Sequence, residues 1–130
     1  MNTLVSRAGA AIAAGILCIS VVAAAEPTYE EVWTCTHKEN KTIEDAQAAN
    51  STWLKWINDN VEGGNISSSV VSSVVGNTEI FLYVDSYPDL DTWSAAKAAV
   101  DTEEGQAVDE VFEAVSDCTE NHLYKMTPTE

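Results

Sequence analysis

The stretch ISSSVVSSVVGNTEIFLYVDSY, residues 66–87, decides the fold because it predicts a pair of antiparallel strands. Gly76 and Asn77 in its middle are a two-residue signal for a tight β-hairpin turn. Residues 79–86 alternate between two sets of side chains, with the two-residue period of a strand. In residues 66–75, pairs of valines follow blocks of serine. We interpret this pattern as a strand with a bulge or with two apolar faces.

Before this hairpin the sequence predicts one strand and one helix. Residues 27–38 are rich in the β-branched and aromatic side chains that strands prefer. Thr42 then has the position of a helix cap, and the helix is predicted to run to about Val61. Gly63 and Gly64 follow and end it.

After the hairpin the sequence predicts a second helix and a last strand. Asp89 or Asp91 caps this helix, which bends or breaks near Gly105 and ends at Cys118. Residues 121–126 form the last strand.

The predicted order is strand, helix, strand, strand, helix, strand. This βαββαβ order is typical of a ferredoxin-like α+β sandwich. Such a domain has a four-stranded antiparallel sheet in the order 4-1-3-2, with two helices on one face. The other face of the sheet has no helix to cover it, so we expect it to find a partner.

Residues 1–25 have the parts of a cleavable signal peptide. Arg7 precedes an apolar run at residues 10–22, and alanines ending at Ala25 supply the cleavage site. We therefore predict a single mature domain, residues 26–130, that is periplasmic or secreted. The apolar run is shorter than a membrane span, so we expect no membrane segment in the mature form.

The chain is strongly acidic, with 21 Asp and Glu against 6 Lys and Arg and a formal net charge of −15. Such a surface repels nucleic acids and anionic lipids, and we predict neither as a partner. No spacing typical of a calcium loop or a zinc site is present. A serine elbow and a glycine-rich phosphate loop are also missing, so the sequence predicts neither metal nor cofactor.

Two cysteines, Cys35 and Cys118, remain after the predicted cleavage. An even number of cysteines in a small exported domain indicates a disulfide. In the predicted topology Cys35 lies in the upper half of the first strand and faces the helices. Cys118 ends the second helix at the same end of the domain. The disulfide is therefore predicted to tie this helix to the sheet.

Most aromatic residues are predicted at the opposite end of the domain, where they would line an apolar pocket for a small molecule. These ligand-binding candidates are Trp33, Trp53, Tyr83, Tyr87 and Trp93. Asp85 would act there as a catalytic base with a pKa raised by burial, and Asn50 would hydrogen-bond a ligand from the first helix. Alternatively, the tryptophans are core residues and Asp85 ends its strand in solvent. The register of the third strand decides between these interpretations.

The mature chain resembles the dimeric α/β-barrel superfamily, which includes cofactor-free antibiotic-biosynthesis-type monooxygenases. The resemblance rests on the order of the elements and on their general pattern. The stretches Lys41–Trp56 (KTIEDAQAANSTWLKW) and Phe81–Trp93 (FLYVDSYPDLDTW) look like those of exported bacterial proteins without an assigned activity. The resemblance implies a homodimer whose two sheets pack face to face, with Val32, Thr34, Thr36 and part of the Ser/Val strand at the interface. A signal peptide and a disulfide are departures from the cytoplasmic monooxygenases.

Three functions are therefore compatible with the sequence. The leading hypothesis is an exported homodimer that binds a small apolar or aromatic molecule between sheet and helices. The second is a cofactor-independent, monooxygenase-like enzyme that acts on a phenolic or quinol compound through Asp85 and Asn50. The third is a structural or interaction protein that has no ligand, and it predicts that sheet and helices enclose no cavity.

Overall fold

A computed structural model describes residues 25–129 of the chain, and all but Ala25 of the predicted signal peptide lies outside that range. The described residues form four strands and three helices. In chain order these are β1 (Thr28–His37), α1 (Ile43–Asn60), β2 (Ser67–Ser72), β3 (Ile80–Tyr87), α2 (Leu90–Val100), α3 (Glu103–Glu113) and β4 (Ser116–Met126).

The four strands form one antiparallel sheet in the order β2-β3-β1-β4. This is the predicted 4-1-3-2 order counted from the other edge, so the predicted ferredoxin-like fold is confirmed. The first and last strands lie side by side in the sheet although they are far apart in the sequence. This crossing places helices against one side of the sheet.

The predicted second helix is in fact two helices, α2 and α3. Asp89 accepts a hydrogen bond from the Thr92 amide at the start of α2, and Thr102 accepts one from the Gly105 amide at the start of α3. Gly105 is required at the junction because a Cβ there would lie 2.3 Å from the Ala99 carbonyl oxygen. The predicted bend near Gly105 is therefore a complete break.

The predicted boundary between the second helix and the last strand is wrong. Helix α3 ends at Glu113, and β4 begins at Ser116 rather than at residue 121. Pairing with β1 explains the early start, since His37 lies opposite Ser116 in the ladder. Cys118 consequently belongs to a strand and not to a helix.

The predicted second strand is also too long at its C-terminal end. Strand β2 stops at Ser72, which pairs with Phe81, and the next residues form the hairpin loop. Val74 and Val75 lie in this loop with 91% and 90% of their surfaces exposed. Valine favours strands only where a neighbouring strand and a packed face are available.

Alternate residues of each strand face opposite sides of the sheet. We call the side packed against the helices the helix-facing side and the other the open side. The helix-facing residues include Ser68 and Val70 of β2, Phe81, Tyr83, Asp85 and Tyr87 of β3, and Glu31, Trp33 and Cys35 of β1. The open side includes Val71 of β2, Ile80, Leu82 and Val84 of β3, and Val32, Thr34 and Thr36 of β1.

The predicted disulfide between Cys35 and Cys118 is present. It joins the neighbouring strands β1 and β4 at an irregularity in their pairing, rather than a helix to the sheet. Cys35 is 1% exposed and packs among Ala46, Phe81 and Tyr83, so it lies on the helix-facing side as predicted.

Candidate functional site

A cavity of about 540 Å³ lies between the helix-facing side of the sheet and the three helices. Its volume is within the usual range of small-molecule sites, about 300–1,000 Å³. The residues that line it are Trp33, Lys38, Trp53, Tyr83, Asp85, Lys97, Val100, Asp109, Phe112, Glu113, Ser116, Asp117 and Cys118. Every helix and three of the four strands therefore contribute to its wall.

Four aromatic side chains form the apolar part of the wall. Phe112 of α3 meets Tyr83 edge to face, with ring centroids 4.8 Å apart, and it meets Trp53 of α1 at 6.3 Å in a similar arrangement. Trp33 of β1 is the fourth. Edge-to-face pairs fix the ring orientations, so the aromatic wall keeps its shape without a ligand.

Asp85 is the buried acidic residue of the wall, with 6% of its surface exposed. Ser68 Oγ lies 2.5 Å from Asp85 Oδ1 and 3.0 Å from Asn50 Oδ1. A hydroxyl group has one hydrogen and cannot donate to both oxygens. The Ser68 hydroxyl donates to Asp85 Oδ1 over the shorter of the two distances, and this bond stabilises the ionised form of Asp85.

Burial raises the pKa of Asp85 from its ordinary value of 3.8 to about 7. The charges of Glu31 and Glu30 raise this pKa further, whereas the Ser68 hydrogen bond and the charge of Lys97 lower it. A carboxyl group with a pKa near 7 is present in both protonation states at neutral pH. Asp85 therefore has the acid–base properties that a proton-transfer group requires.

Glu31 lies directly across the ladder from Asp85 and is 3% exposed. Its carboxylate accepts hydrogen bonds from Lys97 Nζ at 2.6 Å, Asn121 Nδ2 at 2.9 Å, Trp93 Nε1 at 3.2 Å and Tyr87 Oη at 3.4 Å. Four donors stabilise the charged form of this buried carboxylate. Glu31 thereby holds helix α2 and three strands around the base of the cavity.

The structure separates the predicted site residues into two groups. Trp33, Trp53, Tyr83 and Asp85 line the cavity. Tyr87 and Trp93 lie outside its wall, where both donate hydrogen bonds to Glu31. Asn50 is 6% exposed and reaches Asp85 only through Ser68. The predicted pocket at one end of the domain is in fact a cavity that extends to Cys118.

Sequence reasoning missed Glu31 and the cavity residues of α2 and α3. The sequence of β1 did indicate where Glu31 lies. Glu31, Trp33 and Cys35 are spaced two residues from one another, so they share one side of the strand. Lys97 could not be placed from sequence, since its role depends on the angle at which α2 crosses the sheet. Its ammonium group lies 5.4 Å from the centre of the Trp33 ring.

Within residues 25–129, no group of three His, Cys, Asp or Glu side chains is arranged to hold a metal ion. Among the helices that the structure describes, none is long and apolar enough to cross a membrane.

No protein-family model matches the chain, and no curated protein sequence matches it either. Solved structures do match the fold. SnoaB, a cofactor-independent oxygenase from Streptomyces nogalater, is 10% identical with a TM-score of 0.58, and the match covers 81% of this chain and 97% of SnoaB. A proposed antibiotic biosynthesis monooxygenase from Caulobacter crescentus is 10% identical with a TM-score of 0.54, over 81% of this chain and 92% of that protein.

A dimeric ferredoxin-like protein of unknown function from Thermobifida fusca is also similar. It is 9% identical with a TM-score of 0.50, and the match covers 82% of this chain and 96% of that protein. At such identities the likeness shows the fold alone. The chain thus shares the ferredoxin-like fold of these proteins, and the predicted resemblance is confirmed at the level of fold.

Proposed function

We propose that this protein binds a small aromatic molecule in the cavity between the sheet and the helices. The observation that carries the proposal is the combination of about 540 Å³ of space with the four aromatic side chains Trp33, Trp53, Tyr83 and Phe112 in its wall. Polar groups at the same wall would orient the ligand, as in most small-molecule sites. A purely structural protein predicts no such cavity, so the cavity counts against that hypothesis.

The second part of the proposal is that the protein acts as an exported homodimer, with the open sides of two sheets in contact. Val32, Leu82 and Val84 supply an apolar centre for that contact. Tyr124 of β4 and Val71 of β2 lie further out and are 49% and 42% exposed. The dimeric protein from Thermobifida fusca, which has the same fold, supports this arrangement. The signal-like residues 1–25 and the disulfide support export.

A substitution that fills the cavity tests the binding proposal. Val100 lines the cavity from α2, whereas Ala95 on the same helix is exposed. We expect Val100→Phe to weaken the binding of aromatic compounds in calorimetric titrations at least tenfold, while Ala95→Phe leaves their affinity unchanged. The proposal would be contradicted if a screen of aromatic compounds gave neither heat of binding nor thermal stabilisation of the unaltered protein.

Asp85 favours a second candidate function, a cofactor-independent enzyme that acts on a phenolic or quinol compound. Its pKa of about 7 suits a group that accepts the proton of a phenol hydroxyl and leaves a phenolate to react further. Asn50, linked to Asp85 through Ser68, would position this base. Oxygen consumption with phenols and quinols should be lost in Asp85→Asn. Unchanged turnover in that variant would remove Asp85 from the mechanism.

A further inference from the structure

The charges that line the cavity are not balanced. Lys38 forms an ion pair with Asp117 at 3.6 Å, and its ammonium group also donates to the backbone carbonyl of Glu113. Lys97 forms its ion pair, at 2.6 Å, with Glu31, which is not part of the cavity wall. Both lysines of the wall therefore have a carboxylate of their own.

Three carboxyl groups of the wall have no ion-pair partner within the part of the chain that the structure describes. They are Asp85, Asp109 and Glu113. Asp85 is buried, whereas Asp109 and Glu113 are exposed, although partial burial also raises the pKa of Asp109. The charge of Lys97 opposes the pKa shifts of Asp85 and Asp109, so both lie within its field. A buried carboxylate without an ion-pair partner, such as ionised Asp85, is destabilising, and a bound cation would relieve that cost.

The aromatic wall has the same preference for positive charge. The face of an aromatic ring is electron-rich and attracts ammonium groups that lie within about 6 Å of its centre. The ammonium group of Lys97, 5.4 Å from the centre of the Trp33 ring, already makes such a contact at this wall. The same ammonium group is ion-paired with Glu31 at 2.6 Å, so a ring and a carboxylate hold this cation together. Rings and carboxylates together would repel an anionic ligand.

We propose that the cavity selects positively charged aromatic molecules, namely arylalkyl amines in their protonated form or aryl quaternary ammonium compounds. The ring of the ligand packs against Trp53, Tyr83 and Phe112. Its ammonium group lies beside the unpaired carboxyl groups of Asp85 and Asp109. This inference rests on the proposed binding function and narrows it to one class of ligand.

Three probes of similar shape and different charge test the proposal in calorimetric titrations at pH 7.5. They are phenethylamine, which is cationic, 2-phenylethanol, which is neutral, and phenylacetate, which is anionic. We expect phenethylamine to bind at least tenfold more tightly than 2-phenylethanol, and phenylacetate to bind weakest of the three. Equal affinity for the amine and the alcohol, or a preference for phenylacetate, would overturn the selectivity but leave the cavity as a binding site. Failure of all three probes would overturn both proposals.

The large negative charge of the whole chain attracts any cation to some extent. Two variants distinguish this general attraction from binding by the carboxyl groups of the cavity. Asp109→Asn should weaken phenethylamine binding roughly three- to tenfold, the usual size of one partly screened charge interaction, and leave 2-phenylethanol unchanged. Asp59→Asn removes an exposed carboxylate of α1 that pairs with Lys55, and it should change neither affinity. Equal losses in the two variants would assign the preference to net charge and overturn the proposal.

Discussion

The two sides of the same sheet carry different kinds of side chain. The helix-facing side buries the carboxyl groups of Glu31 and Asp85, a disulfide sulfur and several aromatic rings. The open side of the central strands carries mainly valine, leucine, isoleucine and threonine, with no buried charge. Glu30 and Glu31 are neighbours in the sequence, yet Glu30 accepts hydrogen bonds only from hydroxyl groups, whereas Glu31 accepts from four donors on α2, β3 and β4.

The alternation of side chains along the strands therefore assigns different roles to the two sides of the sheet. The helix-facing side carries a polar network and a cavity, and the open side carries the apolar surface that we propose as the contact with a second copy of the chain. Substitutions on the helix-facing side should therefore affect stability and ligand binding, whereas those on the open side should affect assembly.

The largest expected effect comes from removing the disulfide. It closes a loop with a sequence separation of 83, and in the chain-entropy model such a bond stabilises a domain by about 4 kcal/mol. We expect Cys35→Ala with Cys118→Ala to lower the free energy of unfolding by about that amount in urea titrations. Thr34→Ala, one residue away on the open side, should cost less than about 1 kcal/mol. Equal stability of the double variant and the unaltered protein would show that the disulfide is dispensable.

The adjacent glutamates give a sharper contrast. Glu31→Ala leaves the indole of Trp93, the hydroxyl of Tyr87 and the ammonium of Lys97 without their acceptor. Because Lys97 is 36% exposed and can turn to water, we expect a loss of about 3 kcal/mol rather than more. Glu30→Ala should cost about 1 kcal/mol or less in the same urea titrations, since Glu30 is only partly buried. If both variants lost the same stability, the two sides would not differ in the way described.

Because its pKa is raised, Asp85 should make stability depend on pH in the direction opposite to that of most carboxyl groups. Its pKa is about 7 in the folded chain and 3.8 without the fold, so between these values the unfolded chain releases a proton that the folded chain keeps. Stability relative to Asp85→Asn should therefore fall as the pH rises, by roughly 2 kcal/mol between about pH 4.5 and about pH 6.5. The surrounding Glu30, Glu31 and Lys97 stay in place in the variant. Parallel stability curves for the two proteins would contradict the raised pKa.

A substitution on the open side should have the smallest effect on the stability of the folded chain and the largest effect on dimer assembly. Leu82→Glu puts a charge at the centre of the proposed dimer contact, opposite Thr34 in the ladder. We expect light scattering after size exclusion to give half the molar mass of the unaltered protein, with the thermal unfolding of the monomer changed by about 1 kcal/mol or less. A dimer that survives this substitution would move the interface away from the open side.

The strand order could be predicted because it follows from local patterns and topology rules, whereas the side of the sheet that Tyr83 and Asp85 face could not be fixed from the sequence. The alternation of residues 79–86 and the turn-forming residues before it indicated the hairpin, but the predicted two-residue turn at Gly76 and Asn77 is wrong, since a loop of residues 73–79 joins the two strands. The pairing of Cys35 with Cys118 needed only the number of cysteines and the predicted compartment.

Features that depend on distant partners could not be predicted. The spacing of Val108, Val115 and Cys118 is that of one face of a helix. In the structure, however, the residues from Ser116 onward pair with β1 and form β4. The network at Glu31 joins residues up to 90 positions apart, and an acidic residue in a strand normally faces solvent. The cavity itself is an outcome of how α2 and α3 separate at Gly105, which the sequence indicated only as a bend.

Nuclear magnetic resonance of the tryptophan indoles tests binding in the cavity most directly. Trp33 and Trp53 line the cavity, whereas Trp56 donates its indole hydrogen to Glu104 on the outside of α3 and serves as an internal control. During titration with phenethylamine, binding in the cavity predicts that the indole signals of Trp33 and Trp53 shift with one common dissociation constant while that of Trp56 stays in place. Unmoved signals for Trp33 and Trp53 at saturating probe, or a shift at Trp56 alone, would contradict the cavity as the binding site.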